Sequence, residues 1–164
     1  DILRTGSAIE REFGYELIQK TAGLPDEELD SSLNILKNAE LLYQRGKIPE
    51  SVYIFRHALI METVYDSILS RRKIDLHRRI GEAIEAIYGE NLEEHSESLA
   101  RHFIESSLYE KAAKYSRSAA RKARRWQRGQ AAGPAARPQE PPGGRQGPDL
   151  RGRYRQRQED STVK

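Results

Sequence analysis

Apolar residues recur in short periodic runs along the first 125 positions. Ile2, Leu3, Ala8 and Ile9 fit one face of a short helix. Residues 15–21 fit a second helix, with Gly23 just past its end, where a left-handed residue closes a helix. Pro25 opens a third over DEELDSSLNILKNA. Proline suits a first helical turn, the acids there suit the amide end of the helix dipole, and Leu29, Leu33 and Leu36 share a face. The period then changes. Leu41, Leu42 and Tyr43 read as a strand, Arg45, Gly46 and Lys47 with Pro49 as a loop, and Val52, Tyr53, Ile54 and Phe55 as a second strand.

Helical spacing resumes after the strands. Residues 57–70 carry Ile60, Val64 and Ile68 at i, i+4 and i+8, with Tyr65 and Leu69 widening the stripe. Residues 74–88 carry Leu76, Ile80, Ile84 and Ile87, and Gly89 ends them. Residues 92–107 carry Leu99 and Phe103, and residues 109–125 carry Ala112, Tyr115 and Ala119 as an antiparallel partner. The expected fold is mainly α. Residues 1–56 form three helices plus a β-hairpin, a winged-helix-like arrangement, and residues 57–90 form connecting helices. A lone hairpin is marginal in water, so it must lean on the helices.

Composition breaks near Trp126. Residues 126–164 are rich in glycine, proline and arginine and hold almost no branched apolar residues, so they read as a disordered tail. The break also sorts the charge. Residues 1–125 hold 20 Lys and Arg against 21 Asp and Glu, while residues 126–164 hold 8 against 4. The folding part is therefore nearly neutral and gives no broad field for nucleic acid. There is no cysteine, which removes disulfides, thiolate nucleophiles and cysteine-ligated zinc and favours a cytoplasmic setting. No apolar run approaches the roughly 18 residues of a membrane span. The chain starts at Asp1 without a signal-peptide pattern and reads as an excerpt of a longer protein.

The ordered series SAIEREFGYELI, AGLPDEELDSSLNIL, ELLYQRG, PESVYIFRHALIMETVYDSIL, RRKIDLHRRIGEAIEAIYG and EEHSESLARHF lies within a region covering roughly residues 2–125. It resembles the region between the ATPase core and the tetratricopeptide array of large signal-transduction ATPases. Many of these resemble multidomain class III adenylate/guanylate cyclases or transcriptional activators. The resemblance implies a winged-helix domain followed by a tetratricopeptide-like hairpin over residues 91–125. It departs from the repeat pattern where Ser116 stands three before Ala119, in place of a large aromatic, with Tyr115 one position earlier. It implies a regulatory, non-catalytic segment in the cytoplasm, with an upstream ATPase module and downstream helical repeats as partners. ATP or ADP would be held by that upstream module, since the chain has no G-x-x-x-x-G-K-[ST] loop of its own.

The same resemblance singles out His57, with Arg56 as its companion. In related switch ATPases a histidine after the last wing strand approaches the β-phosphate of the nucleotide. The competing reading of His57 is a partly buried histidine bonded to a neighbouring element. Tyr65 reads as core with its hydroxyl on a rim partner, and Tyr43, Tyr53 and Phe55 as wing residues packed on helices. His77, His95 and His102 carry no metal expectation: His95 and His102 share a helical face but stand about 10 Å apart along it. Arg71, Arg72 and Lys73 read as a junction between helices, continuing into a solvated face crossed by ion pairs with Asp75, Glu82 and Glu85. The alternative function is a DNA-binding winged helix. Its recognition helix would open with Asp26, Glu27, Glu28 and Asp30, a face that repels phosphate.

Overall fold

The computed structural model describes residues 1–131. The 132–164 portion of the expected tail lies outside the described residues. Asp1–Gln127 form one compact unit. In chain order the elements are α1 (Ile2–Ile9), β1 (Glu12–Gly14), α2 (Tyr15–Ala22), α3 (Asp26–Asn38), β2 (Leu42–Arg45), β3 (Val52–Phe55), α4 (Ala58–Asp66), α5 (Ser70–Ile87), α6 (Ser96–Glu105) and α7 (Tyr109–Ala131). The structure is thus mainly helical with one small antiparallel sheet.

The sheet has three strands rather than the expected two, in the order β1-β3-β2. The missed strand, β1, is only three residues long, too short to show a period. It pairs Phe13 with Tyr53, while β2 pairs Leu42 with Phe55. Side chains alternate across a strand, so Phe13, Leu42, Tyr53 and Phe55 turn to the core together. Phe13 lies 6.0 Å from both Tyr53 and Phe55, ring centre to ring centre. The same alternation corrects the expected packing of Tyr43. It follows Leu42 on β2, points the other way, and is 54% exposed.

One core runs through the compact unit, from Ile2 and Ile9 of α1 to Phe103 of α6 and Tyr115 of α7. Gly6 and Gly81 let two aromatic rings into it. A Cβ on Gly6 would sit 2.7 Å from the ring of Phe13, and one on Gly81 would sit 2.8 Å from that of Phe103. Arginines then tie distant helix ends together. Arg101 donates to the Ile9 carbonyl at 2.8 Å, and Arg79 donates to the Thr21 carbonyl. Both acceptors lie in the last turn of a helix, where carbonyls lack intrahelical partners and cations are favoured.

Several expected boundaries move, among them the start of the helix read over residues 92–107, where α6 begins only at Ser96. The stripe read across residues 57–70 is broken, because α4 ends at Asp66 and α5 begins at Ser70. Ile68 is buried in that break while Leu69 is 72% exposed. Arg71, Arg72 and Lys73 therefore stand in the first turn of α5 rather than joining two helices. Arg78 makes the expected i,i+3 and i,i+4 pairs, 2.7 Å from Asp75 and 3.1 Å from Glu82. Finally, α7 continues to Ala131, past the composition break, through Trp126, Gln127 and Arg128, which are compatible with helix.

Two helices end in the same way. Leu108 N–H bonds the Phe103 carbonyl and Ser107 N–H bonds the Ile104 carbonyl, closing α6. Leu41 and Glu40 do the same to Leu36 and Lys37 at the end of α3. This bonding places Ser107 at φ 60 and Glu40 at φ 57, the left-handed conformation that glycine adopts without cost. Ser107→Gly is expected to stabilise the fold by a few tenths to about 1 kcal/mol. The gain is below the full left-handed cost because glycine also loosens the unfolded chain. Urea denaturation of both proteins checks it, and an unchanged or lower midpoint contradicts it.

Candidate functional site

The site that the fold assembles is a buried chain of polar groups. It begins on α4, where the Tyr65 hydroxyl lies 2.9 Å from Nε2 of His77 on α5. Nδ1 of His77 lies 2.8 Å from Nδ1 of His102 on α6. Nε2 of His102 in turn lies 3.4 Å from Nη2 of Arg101. His77 and His102 are 3% and 0% exposed, so neither ring draws on bulk water. They are placed by helical spacing. His77 shares its face with Ile80 and Ile84, and His102 shares its face with Leu99, all buried.

Arg101 biases the direction of the chain without fixing it. Its Nη2 already donates to the Ile9 carbonyl at 2.8 Å and to Glu10 at 2.7 Å, so the 3.4 Å approach to His102 is a weak contact. Because a guanidinium only donates, it favours an accepting Nε2 with the His102 proton on Nδ1. That Nδ1–H donates to Nδ1 of His77, whose proton therefore sits on Nε2 and points to the Tyr65 oxygen. The Tyr65 hydroxyl keeps its own proton to donate outward. The opposite direction would set a His102 N–H against a guanidinium N–H. The two histidines are thus assigned opposite neutral tautomers by their hydrogen-bond network.

Electrostatics agree with neutral rings. Burial pushes the His102 pKa down to about 3, and the charge of Arg101 and the neighbouring His77 add to the effect. Burial also lowers the pKa of His77, as do Arg101 and Lys73, while Glu105 opposes them. The Tyr65 hydroxyl is shifted upward, first by burial and then by Glu105. Lys73 lies 4.1 Å over the Tyr65 ring and 3.8 Å from Asp66, so the same part of α5 grips α4 twice. Beside Tyr65 opens a groove of about 410 Å³, lined among others by Ser7, Met61, Glu62, Arg101 and Glu105.

The other singled-out residues lie elsewhere. His57 is the N-cap residue of α4; its side chain is exposed and makes no capping hydrogen bond. Arg56 precedes it, and its guanidinium stands 3.6 Å from Glu40, with both side chains largely in water. A pair so exposed contributes little to stability. His95 sits at the start of α6 with its ring stacked on Tyr88, centres 3.8 Å apart. Among the described residues, no group of three His, Cys, Asp or Glu side chains is gathered for a metal ion. No described helix is long and apolar enough to cross a membrane.

The meeting of His77 and His102 escaped the sequence reading, which compared His102 with His95 because they are near in sequence. The available signal was periodicity. Each of the two histidines occupies a position on an otherwise apolar stripe, where burial forces polar atoms to find partners. No family model, no curated protein and no solved structure matches the chain.

Proposed function

We propose that this chain is a non-catalytic coupling segment: a winged-helix-like body and a tetratricopeptide-like helical pair that pass movement from a nucleotide-holding switch module to downstream helical repeats. Within it, His57, with Arg56 beside it, meets the terminal phosphate of the diphosphate held by the upstream module. One observation carries the reading: His57 is an exposed, uncommitted imidazole at the start of α4, at the joint between the sheet and the helical extension. A helix start with free amide groups favours an anion, and a histidine beside phosphate gains a charge-assisted bond.

The packing of α4 supports a moving part. None of its residues is fully buried. Its hold on α5 includes the Tyr65–His77 bond and the Lys73 contacts. Elements with few buried contacts are those that open at low free-energy cost. The alternative of a DNA-reading winged helix is disfavoured by α3, whose first turn presents Asp26, Glu27 and Glu28 to solvent.

The test joins this chain to the nucleotide-holding module and measures release of bound ADP. Native protein should retain ADP longer than His57→Ala, by about tenfold if one charge-assisted bond of about 1.5 kcal/mol is lost. Equal release rates and equal switching would sink the role of His57.

A further inference from the structure

The near-neutral balance of residues 1–125 hides a strong separation of charge. Residues 109–125, all in α7, hold seven Lys and Arg against the single acid Glu110. Residues 1–108 hold 13 Lys and Arg against 20 Asp and Glu. Three of the seven cations are engaged with the body: Lys111 with Glu85 at 2.6 Å, Lys122 with the Glu94 carbonyl at 3.0 Å, and Arg125 with Glu93. The other four are Lys114, Arg117, Arg121 and Arg124. All are exposed, and none has an ion-pair partner among the described residues.

Their spacing is i, i+3, i+7 and i+10, which keeps them on one helical face. Ala112 and Tyr115, the buried residues of α7, lie on the opposite face. The four cations therefore make a ridge: Lys114 stands at its edge with its ammonium 5.0 Å over the Tyr115 ring, and Arg117, Arg121 and Arg124 face away from the acidic body across about 10 Å of helix. That is about one Debye length at physiological salt, so the acids behind the ridge are largely screened from a partner in front of it.

We propose that this ridge binds the phosphate backbone of a nucleic-acid duplex without reading its sequence. Ten residues of helix rise about 15 Å. One strand of a duplex sets a phosphate about every 3.4 Å along the axis. The strand also winds round the axis, so neighbouring phosphates stand about 7 Å apart, and a ridge lying along a strand meets about three of them with its four cations. The face lacks what the competing partners need. The exposed Trp126 lies well round the helix from it, so it offers no aromatic platform for the bases of a single strand. It has no large apolar residue to enter a lipid headgroup layer. It carries no Asn or Gln for base edges. This surface is separate from the acidic first turn of α3 and does not depend on the role of His57.

Fluorescence anisotropy of a labelled short duplex with the full chain tests the proposal. Each neutralised phosphate contributes about −0.9 to the slope of log affinity against log salt. Three contacts give a slope of about −2.7, a loss of about fortyfold between about 50 and 200 mM salt. The Lys114→Gln, Arg117→Gln, Arg121→Gln, Arg124→Gln variant alters only exposed side chains, and an unchanged circular dichroism spectrum and melting point verify its fold. It should flatten the slope by most of that amount and weaken binding at low salt more than tenfold. A second variant, with Arg151, Arg153, Arg155 and Arg157 changed to Gln, should keep the contribution of the ridge. The proposal is overturned if the ridge variant binds with native slope, or if the second variant alone abolishes binding. Equal competition by a single strand overturns it too. So does a native chain that ignores the duplex while binding phosphatidylserine vesicles or associating with itself.

Discussion

Between about pH 7 and about pH 5 the fold is expected to lose about 2 kcal/mol of stability or more, before most carboxylates titrate. The source is the His77–His102 pair. In the unfolded chain both rings take up protons below their ordinary pKa of 6.5, while in the fold both pKa values are lowered. A group whose folded pKa is depressed leaves stability intact above its unfolded value. Stability then falls with pH until the folded value is reached. For His102 that decline extends toward about 3. Each ring contributes up to about 1.4 kcal/mol per pH unit over its window.

Charged groups on the packed elements do not reverse this. Arg101 and Lys73 oppose a proton on His77 and only Glu105 favours one, while Arg101 and His77 oppose one on His102. From α4 the pair faces the neutral Tyr65 hydroxyl. Glu85 acts at lower pH. Burial would raise its pKa, but hydrogen bonds from Lys111 and Tyr115 hold it below 4.5, so its contribution is lost only below that value. Urea denaturation across the range gives the measurement. The native slope should become shallower in His77→Gln and nearly vanish in the double variant with His102→Gln. Nitrogen NMR at neutral pH should find the His102 proton on Nδ1 and the His77 proton on Nε2. A pH-independent native stability would refute the account, matching tautomers would refute the bond between the rings, and the reversed pair of tautomers would refute the assigned direction.

Phe103→Ala is expected to cost about 3–5 kcal/mol, enough to leave the helical extension unfolded at moderate temperature. Phe103 is 0% exposed. Its ring fits against Gly81 on α5, stacks on Tyr115 of α7 at 5.7 Å between centres, and lies under the Lys111 ammonium at 4.8 Å. Three helices converge on it, and a methyl group refills almost none of that space. Conversely, Gly81→Ala intrudes on the same ring and should destabilise by about 1 kcal/mol or more despite the better helix propensity of alanine. Melting curves of the two variants should both fall below native, with Phe103→Ala the lower. A Phe103→Ala midpoint within a few degrees of native would mean that the ring is not the keystone its contacts suggest.

What the sequence disclosed depended on how local each feature is. Helices with long apolar stripes, such as α3 and α5, were legible because a 3.6-residue period repeats several times within them. The left-handed closure at Gly23 was legible from glycine itself, and the structure gives it φ 66. The matching closures at Glu40 and Ser107 were not, because neither residue type advertises that conformation. The break between α4 and α5 was hidden by Ile60, Val64 and Ile68, which keep helical spacing straight through it. The polar chain was hidden for another reason. His77 and His102 are 25 residues apart, and their contact exists only once α5 lies against α6. His57 was picked out by resemblance, and its solvent exposure is something periodicity did not supply.

The arginine that closes α1 has a consequence for how the protein is made. Arg101 reaches back 92 residues to the Ile9 carbonyl, and Arg79 reaches back 58 to Thr21. At a synthesis rate of roughly 5–20 residues per second, the first helix is synthesised roughly 5–20 seconds before its last partner. Through that interval Ile2, Ala8 and Ile9 have no complete core to enter. The nascent chain is therefore most in need of a chaperone over the α1 segment, and a stall between Ile9 and Arg101 prolongs that need.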